Sequence, residues 1–112
     1  MIWLERINIC APGIVEARKV LDLCKQILES TAFETELRLK VFCNTTYATD
    51  ISIHLLWKSD PGAVSILGRE VDSALQDLGL ISHTVWIEQE ELTMVDASKI
   101  YSCQEIPLGQ TD

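Results

Sequence analysis

From Glu36 to Trp57 the apolar positions repeat every second residue. Leu37, Leu39, Val41 and Cys43 fall on one phase and Glu36, Arg38, Lys40 and Phe42 on the other. After the polar turn Asn44 to Asp50, Ile51, Ile53, Leu55 and Trp57 oppose Ser52, His54 and Leu56. A period of two puts alternate side chains on opposite faces, so the stretch predicts a β-hairpin with one face on the core. Ile2 to Cys10 alternates in the same sense, with Trp3, Glu5, Ile7 and Ile9 against Leu4, Arg6, Asn8 and Cys10. Leu80 to Glu88 does so again, with Ile81, His83, Val85 and Ile87 against Ser82, Thr84, Trp86 and Glu88.

Between these strands the period changes to three and four. Ala17, Val20, Leu21, Cys24, Ile27 and Leu28 form one stripe from Gly13 to Ser30, with Glu16, Arg18, Lys19, Lys25 and Gln26 opposite, which predicts an amphipathic helix. Ser59-Asp60-Pro61-Gly62 reads as a second helix start, with Ser59 or Asp60 as the cap and Pro61 just inside. Val64, Leu67, Val71, Ala74, Leu75 and Leu78 make its stripe, and Gly79 is placed for a left-handed C-terminal cap. Gly68 lies on or beside that stripe, where glycine costs about 1 kcal/mol against alanine, so it marks close packing or close approach of a ligand.

Strand, helix, hairpin, helix, strand is the order of an α+β, ferredoxin-like βαββαβ fold, a four-stranded antiparallel sheet with both helices on one face. The phases assign Ile7, Ile9, Leu37, Leu39, Val41, Ile51, Ile53, Leu55, Val85 and Ile87 to the helix-covered face. The other face then carries Leu4, Arg6, Asn8, Arg38, Lys40, Phe42, Ser52, His54, Leu56, Thr84, Trp86 and Glu88. Leu4, Phe42, Leu56 and Trp86 make an apolar patch too large to leave in water, which predicts a homodimer through this sheet face. Residues 1–91 form the expected domain. Residues 92–112 form a tail, in which Lys99 to Cys103 reads as a short strand packing on a partner subunit.

One domain suits 112 residues, of which 47% are hydrophobic. The net charge of −8 argues against nucleic acid as a partner, because phosphate contacts need a cationic surface. No continuous apolar stretch of membrane or signal-peptide length occurs near Met1, so the expected location is cytoplasmic, with no membrane partner. Cys10, Cys24, Cys43 and Cys103 are widely spaced and fit no zinc or redox motif. Cys24 and Cys43, on apolar phases, are expected to be buried thiols.

The element order, the strand ending Leu56-Trp57 before a short polar helix start, and the run Gly79-Leu80-Ile81-Ser82-His83-Thr84-Val85-Trp86 resemble the dimeric α/β-barrel superfamily. That superfamily includes the antibiotic-biosynthesis-monooxygenase-like enzymes. The resemblance spans about Ile2 to Glu91 and implies two ferredoxin-like subunits packed sheet against sheet, with a ligand in the barrel interior. Haem-degrading members use an asparagine on the first strand, a tryptophan, and a histidine on the second helix. Asn8 and Trp57 match two of these, but Ala63 to Leu78 contains no histidine, which argues against haem chemistry.

On the open face His54 is a candidate general base near neutral pH, and a hydrogen-bonded wall residue is its ordinary alternative. His83, in the aliphatic phase, is expected at an edge and bonded to backbone. Arg6, Arg38 and Lys40 place three of nine cations on that face, suited to a carboxylate, enolate or phosphate, or else to pairing with Glu88 or a partner's acids. Ser-His-Asp, phosphate-loop and two-histidine metal spacings are missing, so neither a metal nor a cofactor is called for. Two functions fit. One is a homodimeric binder of a small organic ligand, for which the three cations would suit an anion. The other is a cofactor-independent monooxygenase or isomerase acting on an aromatic or polyketide-like compound. In the enzyme reading His54, Asn8 and Trp86 are catalytic, while Arg6, Arg38, Lys40, Phe42, Ser52, Leu56 and Thr84 hold the ligand.

Overall fold

The three alternating stretches and two helical stripes become six elements: β1 (Trp3–Cys10), α1 (Ile14–Ser30), β2 (Leu37–Cys43), β3 (Asp50–Trp57), α2 (Ile66–Leu75) and β4 (Leu80–Ile87). They are seen in a computed structural model that describes residues 1–30, 37–90 and 92. The strands form one sheet in the order β2-β3-β1-β4, antiparallel throughout, which is the ferredoxin-like arrangement expected from the element order. Asn44 closes the hairpin: its side-chain oxygen accepts from the backbone N–H groups of Thr46 at 2.7 Å and Tyr47 at 3.0 Å.

Both helices pack on the face that carries Ile7, Ile9, Ile51, Ile53 and Leu55, all fully buried. Ala17, Val20 and Cys24 of α1 and Leu67, Val71 and Leu75 of α2 close the core from above. Each such aliphatic side chain is worth about 1.5–3 kcal/mol when fully buried, so this layer supplies the main drive to fold. Leu21, Leu28 and Ala74 were placed in the stripes but lie at their exposed margins. Cys24 is buried as expected, and its thiol is pushed up to about 11 by burial. Cys43 is exposed instead, because it ends the edge strand β2 beyond the reach of the helices.

The second helix departs from its predicted limits. It starts at Ile66 with Ser65 as the cap, whose side chain accepts from Gly68 N–H at 2.8 Å. The Ser59-Asp60-Pro61-Gly62 signal makes a turn instead: Asp60 accepts from the Gly62 N–H at 2.8 Å, and Gly62 takes a positive φ of 84°. Gly79 is not a left-handed cap, since among the described residues only Gly62 has positive φ. Its role is close approach, because a Cβ there would run into the Cys10 carbonyl and sit 3.0 Å from the Ala11 Cα. The expected strand at Lys99 to Cys103 lies outside the described residues. Among those described, no helix is long and apolar enough to cross a membrane.

Gly79→Ala is expected to destabilise the chain by about 1–3 kcal/mol in urea unfolding, because the backbone at Cys10 and Ala11 must move to admit a methyl group. An unchanged midpoint would show that this contact is not tight.

Candidate functional site

Strand register turns the open face into a grid. Arg38, Leu56, Leu4 and Trp86 form one row across β2, β3, β1 and β4; Lys40, His54, Arg6 and Thr84 form the next, and Phe42, Ser52, Asn8 and Ser82 the third. Within it runs a chain of polar contacts. Arg6 Nε donates to Ser52 Oγ at 2.9 Å, and its Nη2 donates to Asn8 Oδ1 at 3.3 Å. Asn8 Nδ2 in turn donates to Asp50 Oδ1 at 3.2 Å, which also receives the Cys10 thiol at 3.4 Å. Ser52 Oγ lies 2.9 Å from His54 Nε2, so a serine that already accepts from Arg6 has its own proton to give to the imidazole.

His54 is half-buried against Phe42, whose ring centroid lies 4.7 Å from its own. Its pKa is lowered by burial, and the positive charges of Arg6 and Lys40 push the same way. Of the proposed catalytic residues, Asn8 and His54 are therefore joined through Arg6 and Ser52. Trp86 is not brought to them: β1 stands between it and His54, and its indole N–H donates to Thr84 at 2.9 Å. Leu56 and Leu4 continue the Trp86 row toward Arg38.

The three cations of this face have no carboxylate partner among the described residues. Among the described residues, ion-pair distances to carboxylates are made only by His83. Glu88 does not pair with a cation of the grid; its Oε1 accepts from the Ile2 N–H at 2.8 Å.

A second constellation, on the helix-covered face, was not anticipated. Glu5 is fully buried and accepts four hydrogen bonds. Oε1 receives Ser65 Oγ–H at 2.7 Å and the Trp57 indole N–H at 3.0 Å. Oε2 receives the Ser65 backbone N–H at 3.0 Å and lies 2.7 Å from His83 Nε2. Four donors leave the carboxylate no reason to hold a proton. Burial pushes its pKa up, but the bonds from Ser65, His83 and Trp57 outweigh that and hold it below the ordinary glutamate value. His83 stands on the edge strand β4 as expected, but its Nδ1 lies 2.7 Å from Asp72 Oδ2, so the imidazole bridges two carboxylates instead of bonding to backbone. Gly68 makes the room: a Cβ there would collide with Glu5 Oε2 and come within 2.9 Å of His83 Cε1. The sequence did carry a signal, since Glu5 and His83 both sit on core-facing phases of strands, and a titratable group pointing into a core must find a partner there.

Among the described residues, clefts lie between α1 and α2. One, of about 650 Å³, is lined by Ile27, Ile66, Arg69, Glu70, Ser73 and Ala74, and a second of about 340 Å³ lies beside Leu23 and Leu78; neither is lined by His54 or Glu5.

No family profile matches the sequence, and no curated protein is similar to it. Solved structures do match the fold. A monooxygenase of Streptomyces coelicolor bound to nanaomycin D aligns with TM-score 0.63 at 14% identity, over 81% of this chain and 90% of that one. The cofactor-independent oxygenase SnoaB of Streptomyces nogalater, as its N63A mutant, aligns with TM-score 0.62 at 10% identity, over 81% and 96%. A putative antibiotic biosynthesis monooxygenase of Deinococcus radiodurans gives 0.63 at 14%, over 84% and 98%. The chain shares the ferredoxin-like fold of these proteins. Here the inner face is closed by the Glu5 cluster and the outer face keeps its cations and aromatic residues open.

Glu5→Gln is expected to cost about 3–5 kcal/mol, because an amide nitrogen would face donors it cannot accept from. A depressed folded pKa means that the stabilisation by Glu5 is fully present above the ordinary glutamate range and is lost as pH falls through the lowered folded value. Urea unfolding across the acid range should therefore show a steeper loss in the native chain than in Glu5→Gln; equal slopes would contradict the assignment. NMR titration of the His54 ring should give a midpoint below about 6.5, rising when Arg6 is replaced by glutamine. A midpoint at or above that value in the native chain would remove the electrostatic argument.

Proposed function

We propose that this is a cytoplasmic homodimeric protein that packs two open sheet faces together and holds a small organic anion between them. One observation carries the reading. In a chain of net charge −8, the face exposing Phe42 and Trp86 also holds three cations without a carboxylate partner among the described residues. Leu4, Leu56 and Trp86 form an apolar row in which the leucines are half-buried and Trp86 is exposed, and burying such a row favours association. Beside it, Arg6 has donors left for an oxyanion after Ser52 and Asn8 are satisfied. The monooxygenase of similar fold bound to nanaomycin D is consistent with a small organic ligand.

A second reading is favoured by the environment of His54. Its neutral form is the one a base requires, and Ser52, Arg6 and Asn8 lie along one hydrogen-bonded line from it. In that reading His54 takes a proton from a bound phenol or enol by way of Ser52, whose hydroxyl gives its proton to Nε2 as it receives the ligand's, and Arg6 with Asn8 stabilises the oxyanion that results. The similarity to SnoaB, a cofactor-independent oxygenase, is consistent with such chemistry.

Sedimentation equilibrium with 2-naphthoate present should give twice the chain mass. Leu56→Glu should return the single-chain mass and abolish naphthoate binding while the circular dichroism spectrum is kept. A single-chain mass for the native protein with naphthoate present would overturn the proposal. If a turnover assay on naphthol-type substrates shows product, His54→Ala should keep binding and lose turnover.

A further inference from the structure

We infer that dimerisation of this chain depends on the anion: the sheet-to-sheet interface is completed by an aromatic carboxylate or similar organic anion, and without one the two copies repel. The inference rests on the proposed dimer and adds the control of its assembly. Arg6 carries it. β1 is a central strand, flanked by β3 and β4, so a second sheet laid on this face encloses Arg6, whereas Arg38 and Lys40 on the edge strand β2 can reach the rim. Among the described residues, Arg6 donates only to the neutral oxygens of Ser52 and Asn8, at 2.9 and 3.3 Å. A guanidinium taken out of water with neutral partners alone is costly.

Two-fold packing presents the same patch to itself, so the partner copy brings a second Arg6 and no carboxylate from the middle rows of the grid. Among the described residues, the acids of this face stand at its two ends. Asp50 is held by Asn8 and Cys10 beyond the third row, and Glu88 is bonded to the Ile2 N–H beyond the first. The titratable groups at the centre are His54, with its charged form disfavoured, and Lys40 beside it, which adds to the positive field. An anion between the copies supplies the missing charge, and Phe42 and Trp86, both about half exposed in the single chain, offer faces for an aromatic body. Binding and assembly are then reciprocally linked: an anion that tightens the dimer is itself bound more tightly by the dimer.

Sedimentation equilibrium at low ionic strength tests this with 2-naphthoate and with 2-naphthamide, its neutral counterpart of the same shape. Naphthoate should tighten the dimer roughly tenfold or more, and naphthamide should leave it unchanged. Arg6→Gln should dimerise without any anion and ignore naphthoate, whereas Arg6→Lys should keep the native response. A native dimer equally tight with and without naphthoate, or tightened equally by naphthamide, would overturn the linkage and leave the dimer standing. A single-chain mass for both the native chain with naphthoate and Arg6→Gln would overturn the dimer, and the linkage with it.

Discussion

The buried carboxylate of Glu5 is the constraint on which the rest of the molecule depends. A charge with no exposure is tolerated only when its lone pairs are filled, and here one residue gathers donors from Trp57 at the end of β3, Ser65 at the start of α2 and His83 on β4. Those bonds tie both ends of the connection between β3 and α2 to the first strand. They also fix where α2 begins, because Ser65 gives its proton to Glu5 while its oxygen caps Gly68. Gly68 follows from the same constraint, since a larger residue would occupy the space of the Glu5 and His83 side chains.

This use of the inner face decides where a ligand can be handled. Core aliphatics and the Glu5 cluster fill the space between sheet and helices, and every donor near Glu5 is already committed to it. The outer face has the opposite character. Its arginine is satisfied only in part, its histidine is held toward the neutral ring, and its large side chains remain in water. A surface with unspent donors beside apolar area has something to gain from a partner and from an anion.

The sheet and both helix stripes were legible in the sequence because local periodicity reports which side of an element meets the core. Ile7, Ile9, Ile51, Ile53 and Leu55 were placed on the correct face by phase alone. The open-face grid was legible for the same reason, and Arg6, Asn8, Ser52 and His54 do meet in it. What periodicity does not encode is which in-phase residues touch across elements. Glu5 comes from β1, Trp57 from β3, Ser65 and Asp72 from α2 and its cap, and His83 from β4, so their cluster exists only after folding. The start of α2 was misplaced for a related reason: the Pro61 signal is local, whereas Ser65 is chosen by its tertiary bond to Glu5. Gly79 likewise answers to the Cys10 carbonyl and not to the helix end that precedes it.

The central claim is that the outer sheet face, with Arg6 at its middle, is where a second copy and an organic anion meet. A crystal structure of the chain grown with 2-naphthoate tests it most directly. The expected result is two copies packed through Leu4, Leu56 and Trp86, with the carboxylate within hydrogen-bonding distance of an Arg6 guanidinium. Copies packed through their helices, with Arg6 in solvent and naphthoate in the cleft between Ile27 and Ile66, would contradict it.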